Sequence, residues 1–148
     1  MGVPRAGTGE MIDVTDAPQA EDAERVVGGL VAFNNATVGP SGRRALAAFV
    51  RPVAGGPVEG GVVGYTAWDW LYVEKVWVAE SLRGQGMAGK LLDAAEAEAQ
   101  ERGCKGAWLD TLNPAAQAVY ERQGYRVCGE IPDFTAGKSR LFLQKRFG

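Results

Sequence analysis

Histidine is absent from all 148 residues. That one absence excludes Ser-His-Asp triads, Cys-His dyads, helical two-histidine zinc sites and zinc sites mixing histidine with cysteine. Cysteine is nearly absent too. Cys104 and Cys128 cannot complete a four-thiolate metal site, and a secreted disulfide scaffold would pack four or more into so short a chain. Neither has an obvious activating neighbour, so both read as small buried residues in a reduced, cytoplasmic setting. No run approaches the roughly 18 apolar residues of a membrane span. Met1–Glu10 carries no apolar signal segment, and Ala6 stands where a myristoylation pattern needs Ser or Thr. Clustered positive charge is missing apart from Lys145-Arg146, and the net charge is −2. Neither nucleic acid nor a membrane is an expected partner.

What remains is 46% hydrophobic and 23% charged, enough for a single buried core. Residues 1–10 read as a flexible tail and 11–148 as a single domain. Glycine is over-represented, at 21 residues, about twice the usual share of roughly 7%. Gly55-Gly56-Pro57-Val58-Glu59-Gly60-Gly61 reads as a loop between strands.

Periodicity predicts a short strand at Met11–Thr15 and a helix at Glu21–Asn35, where Val26, Val27, Leu30 and Phe33 recur at helical spacing. Ala45–Arg51, Val62–Trp70 and Tyr72–Val78 read as strands. From Met87 to Arg102, Met87, Ala88, Leu91, Leu92, Ala95 and Ala99 hold one helical face, and Gly103 ends the helix. A strand at Gly106–Leu112 follows. The next helix is capped by Asn113, begins at Pro114 and is closed by Gly124. Tyr125–Glu130 and Ser139–Arg146 complete the strands, with Ile131–Lys138 as a loop between them. A strand meander followed by alternating strands and helices gives a mixed α+β fold, not a doubly wound one.

The chemistry starts where the strand ending at Val78 runs into Arg83-Gly84-Gln85-Gly86-Met87-Ala88-Gly89 and a long helix opens. The first amides of a helix have no internal partner, and the helix dipole adds partial positive charge there. Glycines let the backbone come close to an anion, so the turn suits a phosphate or pyrophosphate. A P-loop is excluded, because Gly89-Lys90 is followed by Leu91. Gly84-x-Gly86-x-x-Gly89 also matches the letters of a dinucleotide fingerprint, with Asp110 a loose fit for its ribose-binding acid. A glycine-rich helix start without any ligand is the plain alternative.

Two segments together decide the resemblance. Arg83-Gly84-Gln85-Gly86-Met87-Ala88, with Val78 five residues ahead, resembles the signature of the GNAT superfamily of acetyl-CoA-dependent N-acetyltransferases. Asn113-x-x-Ala116-x-x-Val119-Tyr120-Glu121-Arg122-x-Gly124-Tyr125 is similar to the second half of that family's core. The likeness covers about Val62–Phe147. It implies a mostly antiparallel, splayed central sheet flanked by helices, with acetyl-CoA as cosubstrate and no metal.

In the family the coenzyme pyrophosphate lies on the turn, here Arg83, Gly84, Gln85, Gly86, Met87, Ala88 and Gly89. The pantetheine arm lies along a splayed strand, where Val76 and Val78 would offer backbone hydrogen bonds. Asn113 and Ala116 would contact the coenzyme from the other side. Tyr120 stands where many members carry the tyrosine that meets the departing sulfur. Proton transfer from a phenol of pKa about 10 to a thiolate of about 8.5 is uphill by roughly 2 kcal/mol in water. A stabilising hydrogen bond from Tyr120 is therefore at least as plausible as full transfer. A core tyrosine at helical spacing from Ala116 is the other reading.

An alkyl amine of pKa about 10.4 is neutral in only about one molecule in 2,500 at pH 7, a deficit of roughly 4.6 kcal/mol. A base is therefore needed, and carboxylates are the candidates. Alternation places Glu74 on the face of Val76 and Val78, where core packing does not account for it. Asp110, in the apolar strand with Ala107, Trp108 and Leu109, is the second candidate. For each, a solvated or ion-paired carboxylate is the plain alternative.

Trp68, Trp70 and Trp77 read as sheet packing, with Trp70 also placed to line an acceptor pocket or a dimer face. The Ile131–Lys138 loop and Phe33-Asn34-Asn35 fall where the family borders its acceptor. The resemblance implies direct transfer of acetyl to a primary amine of a small molecule or peptide, through a ternary complex and without a covalent acyl-enzyme. Dimerisation is common among members, so a homodimer is admitted. The alternatives are a catalytically silent CoA-binding sensor or interaction module, and a nucleotide-binding regulator.

Overall fold

The computed structural model describes Arg5–Ala6 and residues 10–148, so the expected flexible tail falls largely outside the described residues. Two units are distinguished, one ending at Ser41 and one spanning Gly42–Gly148. In the first, strands β1 (Arg5–Ala6) and β2 (Met11–Ile12) pair antiparallel and helix α1 spans Ala20–Thr37. The expected strand to Thr15 ends at Ile12, and further on the Thr15 hydroxyl accepts from the Ala17 amide at 3.0 Å, turning the chain. Helix α1 starts one residue earlier and ends two later than its periodicity predicts.

The second unit holds β3 (Arg44–Val50), β4 (Gly60–Ala67), β5 (Trp70–Val78), a single 3-10 turn (Glu80–Leu82), α2 (Met87–Glu101), β6 (Gly106–Thr111), α3 (Pro114–Arg122), β7 (Arg126–Thr135) and β8 (Lys138–Arg146). The sheet order is β3-β4-β5-β6-β8-β7, antiparallel except where β5 meets β6. This is the mixed α+β fold that the pattern of elements predicts, with the mostly antiparallel sheet that the resemblance implies. Helix α2 lies against β3 to β6, and α3 packs on α2 and β6. Leu71, Leu92, Leu109 and Leu143 are fully buried between them, each contributing about 1.5–3 kcal/mol. Among the described residues no helix is long and apolar enough to cross a membrane.

Both helices end as their glycines require. At Gly103 the amides of Gly103 and Cys104 bond Gln100 O and Ala99 O at 2.9 Å each. At Gly124 the amides of Gly124 and Tyr125 bond Glu121 O and Tyr120 O at 3.0 Å each. Positive φ at both glycines, 82° and 96°, makes these the left-handed Schellman closures that other residues resist.

Two strand expectations and one burial expectation need correction. The β4–β5 turn is Trp68-Asp69, with φ of 48° and 62°, so β4 stops at Ala67 and β5 begins at Trp70. The pair takes a mirror-image two-residue turn, the geometry that suits strand twist, with neither residue a glycine to announce it. The predicted loop over Ile131–Lys138 is instead mostly strand. β7 runs to Thr135 through an irregular register, with Asp133 at φ 48°, and Ala136-Gly137 makes the turn. Cys128 is exposed, not buried, because β7 is the outermost strand and lies almost wholly open; Cys104 is buried as expected. Burial, reinforced by Asp69 and opposed by Arg102, raises the Cys104 thiol pKa and keeps it protonated.

A buried polar trio, invisible to periodicity, ties α2 to the sheet. Glu96 accepts from the Tyr125 hydroxyl at 2.9 Å and from Lys145 Nζ at 2.6 Å. Removing one partner of a buried ion pair strands the other in a medium that solvates it poorly. Lys145→Met is therefore expected to lower stability by about 3 kcal/mol, with Glu96→Gln in the same chain recovering part of it. Urea unfolding checks this, and a loss below about 1 kcal/mol would show that Glu96 is solvated after all.

Candidate active site

Strands β5 and β6 pair in parallel at only three positions, Trp70 with Gly106, Leu71 with Ala107 and Tyr72 with Trp108. Past Tyr72, β5 is held by β4 alone, and past Trp108, β6 is held by β8 alone. The sheet thus opens as a wedge whose inner edges carry backbone polar groups with no partner strand. On the β4 side, β5 contains a bulge: Gly64 faces Val73 and Val63 faces Lys75, which leaves Glu74 without a partner. Gly64 is required here, since a Cβ would run into the Tyr72 carbonyl oxygen.

A groove of about 780 Å³ runs from this opening to the head of α2, within the range of small-molecule clefts. β5 contributes Val76, Trp77 and Val78. The glycine turn and the start of α2 contribute Leu82, Arg83, Gly84, Gly86, Met87, Ala88 and Gly89. Asn113 and α3 contribute Ala115, Ala116, Val119, Tyr120, Arg122 and Gln123. Of the residues named from the sequence as coenzyme-binding, only Gln85 is missing from the wall; its side chain turns back to donate to Ser81 O at 3.2 Å.

The two helix heads differ sharply. α3 is capped by its own sequence: Asn113 Oδ1 accepts from the Ala115 amide at 2.9 Å. α2, which begins at Met87, has Gly86, φ 72°, at its N-cap position and no capping side chain. Among the described residues the amides of Gly84 through Gly89 meet no acceptor. Six successive donors at the positive end of a helix make a cradle for a doubly charged anion. Arg83 borders it, anchored by Nε donating to Val78 O at 2.9 Å. Gly89 is buried on α2 with the Gln123 side-chain amide lying over it.

Tyr120 is buried on α3, and burial, then the charge of Asp110, raises its phenol pKa above the ordinary 10. Its hydroxyl meets no hydrogen-bond partner among the described residues, so it is free to donate into the groove. The two carboxylates differ. Asp110 is largely buried and fully engaged: Tyr72 donates to Oδ1 at 3.2 Å, and Arg140 Nη2 and Nε reach Oδ2 at 2.6 and 2.9 Å. Glu74 is half-exposed and pairs with Lys75 at 3.2 Å. The bulge breaks the alternation that would have put Glu74 on the face of Val76 and Val78. Leu71 and Val73 are buried, Glu74 and Lys75 exposed, and Val76 and Val78 return to the core side. Glu74 sits at the lip of the wedge, outside the groove wall.

The chain matches the family model described as the acetyltransferase (GNAT) family over residues 17–125. It belongs to the GNAT family of acetyltransferases. An acetyltransferase of Agrobacterium fabrum is 44% identical over 134 residues, covering 90% of this chain and 97% of the relative. Blasticidin-S acetyltransferase of Streptomyces morookaense is 40% identical over 91 residues, 61% of this chain and 67% of that enzyme. A crystal structure described as an Agrobacterium tumefaciens acetyltransferase superposes with a TM-score of 0.84, at 44% identity over 90% of this chain and 97% of that one.

This GNAT acetyltransferase also shows groove residues that sequence reasoning missed. Val119 and Gln123 share a helical face with Ala116 and Tyr120, a spacing of three and four that could have exposed them. Trp77 is half-exposed and lines the groove, contrary to its expected place in sheet packing. Trp70 lies at the closed end of the wedge, where its ring covers Gly106 and Arg146 stacks on it at 4.9 Å. A second cavity of about 470 Å³ shares Asn113 with the groove and is lined by Gln117, Glu130 and the β7–β8 turn. Phe33-Asn34-Asn35 lies in α1, in the other unit.

Burial raises the phenol pKa of Tyr72, Tyr120 and Tyr125, helped by Asp110 for the first two and by Glu96 for the third. The unfolded chain therefore loses these three protons first as pH rises. Stability is unaffected by them below about pH 10 and falls above it. Absorbance titration at 295 nm should show delayed phenolate formation in the native protein relative to the protein in guanidinium. Coincident titration curves would contradict the burial.

Proposed function

We propose that this enzyme transfers the acetyl group of acetyl-CoA directly to a primary amine, within a ternary complex and without a metal. The observation that carries the reading is the run of open amides at the head of α2, continuous with a groove that ends at Tyr120 beside the wedge. Gly84 through Gly89 would take the pyrophosphate, with Arg83 at its edge. The edge of β5 at Val76 and Val78, which has no partner strand and whose Val78 carbonyl also accepts from Arg83, would receive the pantetheine amides as an added strand, and Asn113, Ala116 and Met87 would flank it. Residues 11–148 are taken as one acetyltransferase domain, since the family match runs from 17 to 125 and includes parts of both units.

The thioester supplies an activated acetyl carbon. The amine nitrogen adds to that carbon, the C–S bond breaks, and its electron pair leaves on sulfur. Tyr120, kept protonated by burial and by Asp110, donates a hydrogen bond to the thiolate. Glu74, at the lip of the wedge and set apart by the bulge, takes the ammonium proton directly or through a water. Asp110 contributes through its charge on Tyr120, both of its oxygens being occupied. Similarity to a blasticidin-S acetyltransferase favours a small-molecule amine as acceptor.

Free thiol released from acetyl-CoA across a panel of antibiotic amines, polyamines and peptide N-termini tests this reading. Binding of acetyl-CoA without thiol release for any amine would leave a binding module. Tyr120→Phe should lower kcat about 10- to 100-fold with little change in the KM for acetyl-CoA. Glu74→Gln should cut kcat/KM by about 100-fold at pH 7. Part of that loss should return at pH 9 to 10, as the neutral amine becomes abundant. A pH-independent loss would remove Glu74 from the role of base.

A further inference from the structure

The wedge between β5 and β6 is a mechanical problem. Its two arms belong to different halves of the sheet, β3-β4-β5 and β6-β8-β7, and their backbone pairing stops at Tyr72 and Trp108. At that vertex Tyr72 and Trp108 stack at 4.1 Å, 19° from parallel. One step further along β6, on the same face, Asp110 receives the Tyr72 hydroxyl from one arm and the Arg140 guanidinium from β8 on the other. Buried Leu71 and Val73, Ala107 and Leu109 point to the opposite face. The bonds from Tyr72 and Arg140 therefore meet on the face away from the core, at the mouth of the opening.

We propose that Tyr72, through Asp110 and Arg140, is a positioning residue that fixes how far the wedge opens where the thioester carbonyl must sit. This rests on the acetyl-transfer reading above and deepens it. Asp110 is thereby assigned as the anchor of a brace, not as the general base. The brace suits its parts: burial and the neighbouring Asp110 charge keep the Tyr72 phenol protonated and donating. Arg140 binds Asp110 through two nitrogens, and a two-point guanidinium contact fixes orientation as well as distance. Misplacing reacting groups by about 1 Å costs on the order of 100-fold in rate, whereas anion binding at the head of α2 does not sense the brace.

Tyr72→Phe keeps the stack on Trp108 and removes only the hydroxyl. In the full chain, kcat is expected to fall about 10- to 100-fold, while the KM for acetyl-CoA and Tm stay near wild type. Asp110→Asn keeps one acceptor oxygen, which can serve Tyr72 or Arg140 but not both, so its kcat should fall at least as far as in Tyr72→Phe while the shape of the pH profile is unchanged. Wild-type kcat in Tyr72→Phe would overturn the brace. So would an Asp110→Asn variant whose pH profile has lost its low-pH limb, which would make Asp110 the base. Amide hydrogen exchange over Leu109–Thr111 with acetyl-CoA bound needs no turnover. Faster exchange in Tyr72→Phe supports the brace even if no acceptor amine is found, and unchanged exchange refutes it. A wild-type chain that does not bind acetyl-CoA would fail the functional reading itself, and exchange in the free protein then decides the brace alone.

Discussion

Unsatisfied backbone is the constraint around which this molecule is organised. A peptide group without a hydrogen bond is costly once water is excluded from it, and the chain leaves two adjoining, water-accessible sets of them for a ligand to cover. One is the inner edge of β5 beyond Tyr72, and the other is the run of amides from Gly84 to Gly89. They lie on the two ends of a single connection, so a molecule carrying an anion at one end and amides along its length can satisfy both. The 3-10 turn at Glu80–Leu82 and the left-handed glycines at 84 and 86 bring the two sets into register.

Leaving that corner unsatisfied requires firmness around it. Arg102, at the far end of α2, donates to Arg44 O, Ala45 O and Thr66 Oγ1 and so fixes the helix to β3 and β4. The Glu96, Lys145 and Tyr125 trio fixes its middle to β8 and to the chain leaving α3. With its body held twice, α2 has only its head free to respond to a ligand. α3, by contrast, is closed at both ends, by Asn113 and by Gly124. It serves as a fixed wall that presents Tyr120.

Much of this was legible in one dimension, for local reasons. Asn113-Pro114, Gly103 and Gly124 mark helix ends because caps and left-handed closures are decided within a few residues. The glycine turn was legible because positive φ at Gly84 and Gly86 needs glycine whatever surrounds it. Illegible were features in which a residue acts against its type. Trp68 and Asp69 turn the chain although neither is glycine, and Pro132 with Asp133 lies within a strand. The bulge at Glu74 had one hint, the lone Gly64 in the facing strand, and missing it put Glu74 on the wrong face.

Sequence alone determined the order of elements and a glycine turn suited to an anion, since each depends on neighbours within a turn or two of chain, while Tyr120 was singled out by resemblance to the family. Tertiary structure decided what the carboxylates are free to do. Asp110 looked like an isolated acid until Tyr72, 38 positions away, and Arg140, 30 positions away, were seen to occupy both of its oxygens. Pairing across such distances depends on which strands lie side by side and where their ladder stops. That follows from how a whole sheet is packed and cannot be read from any local stretch of residues.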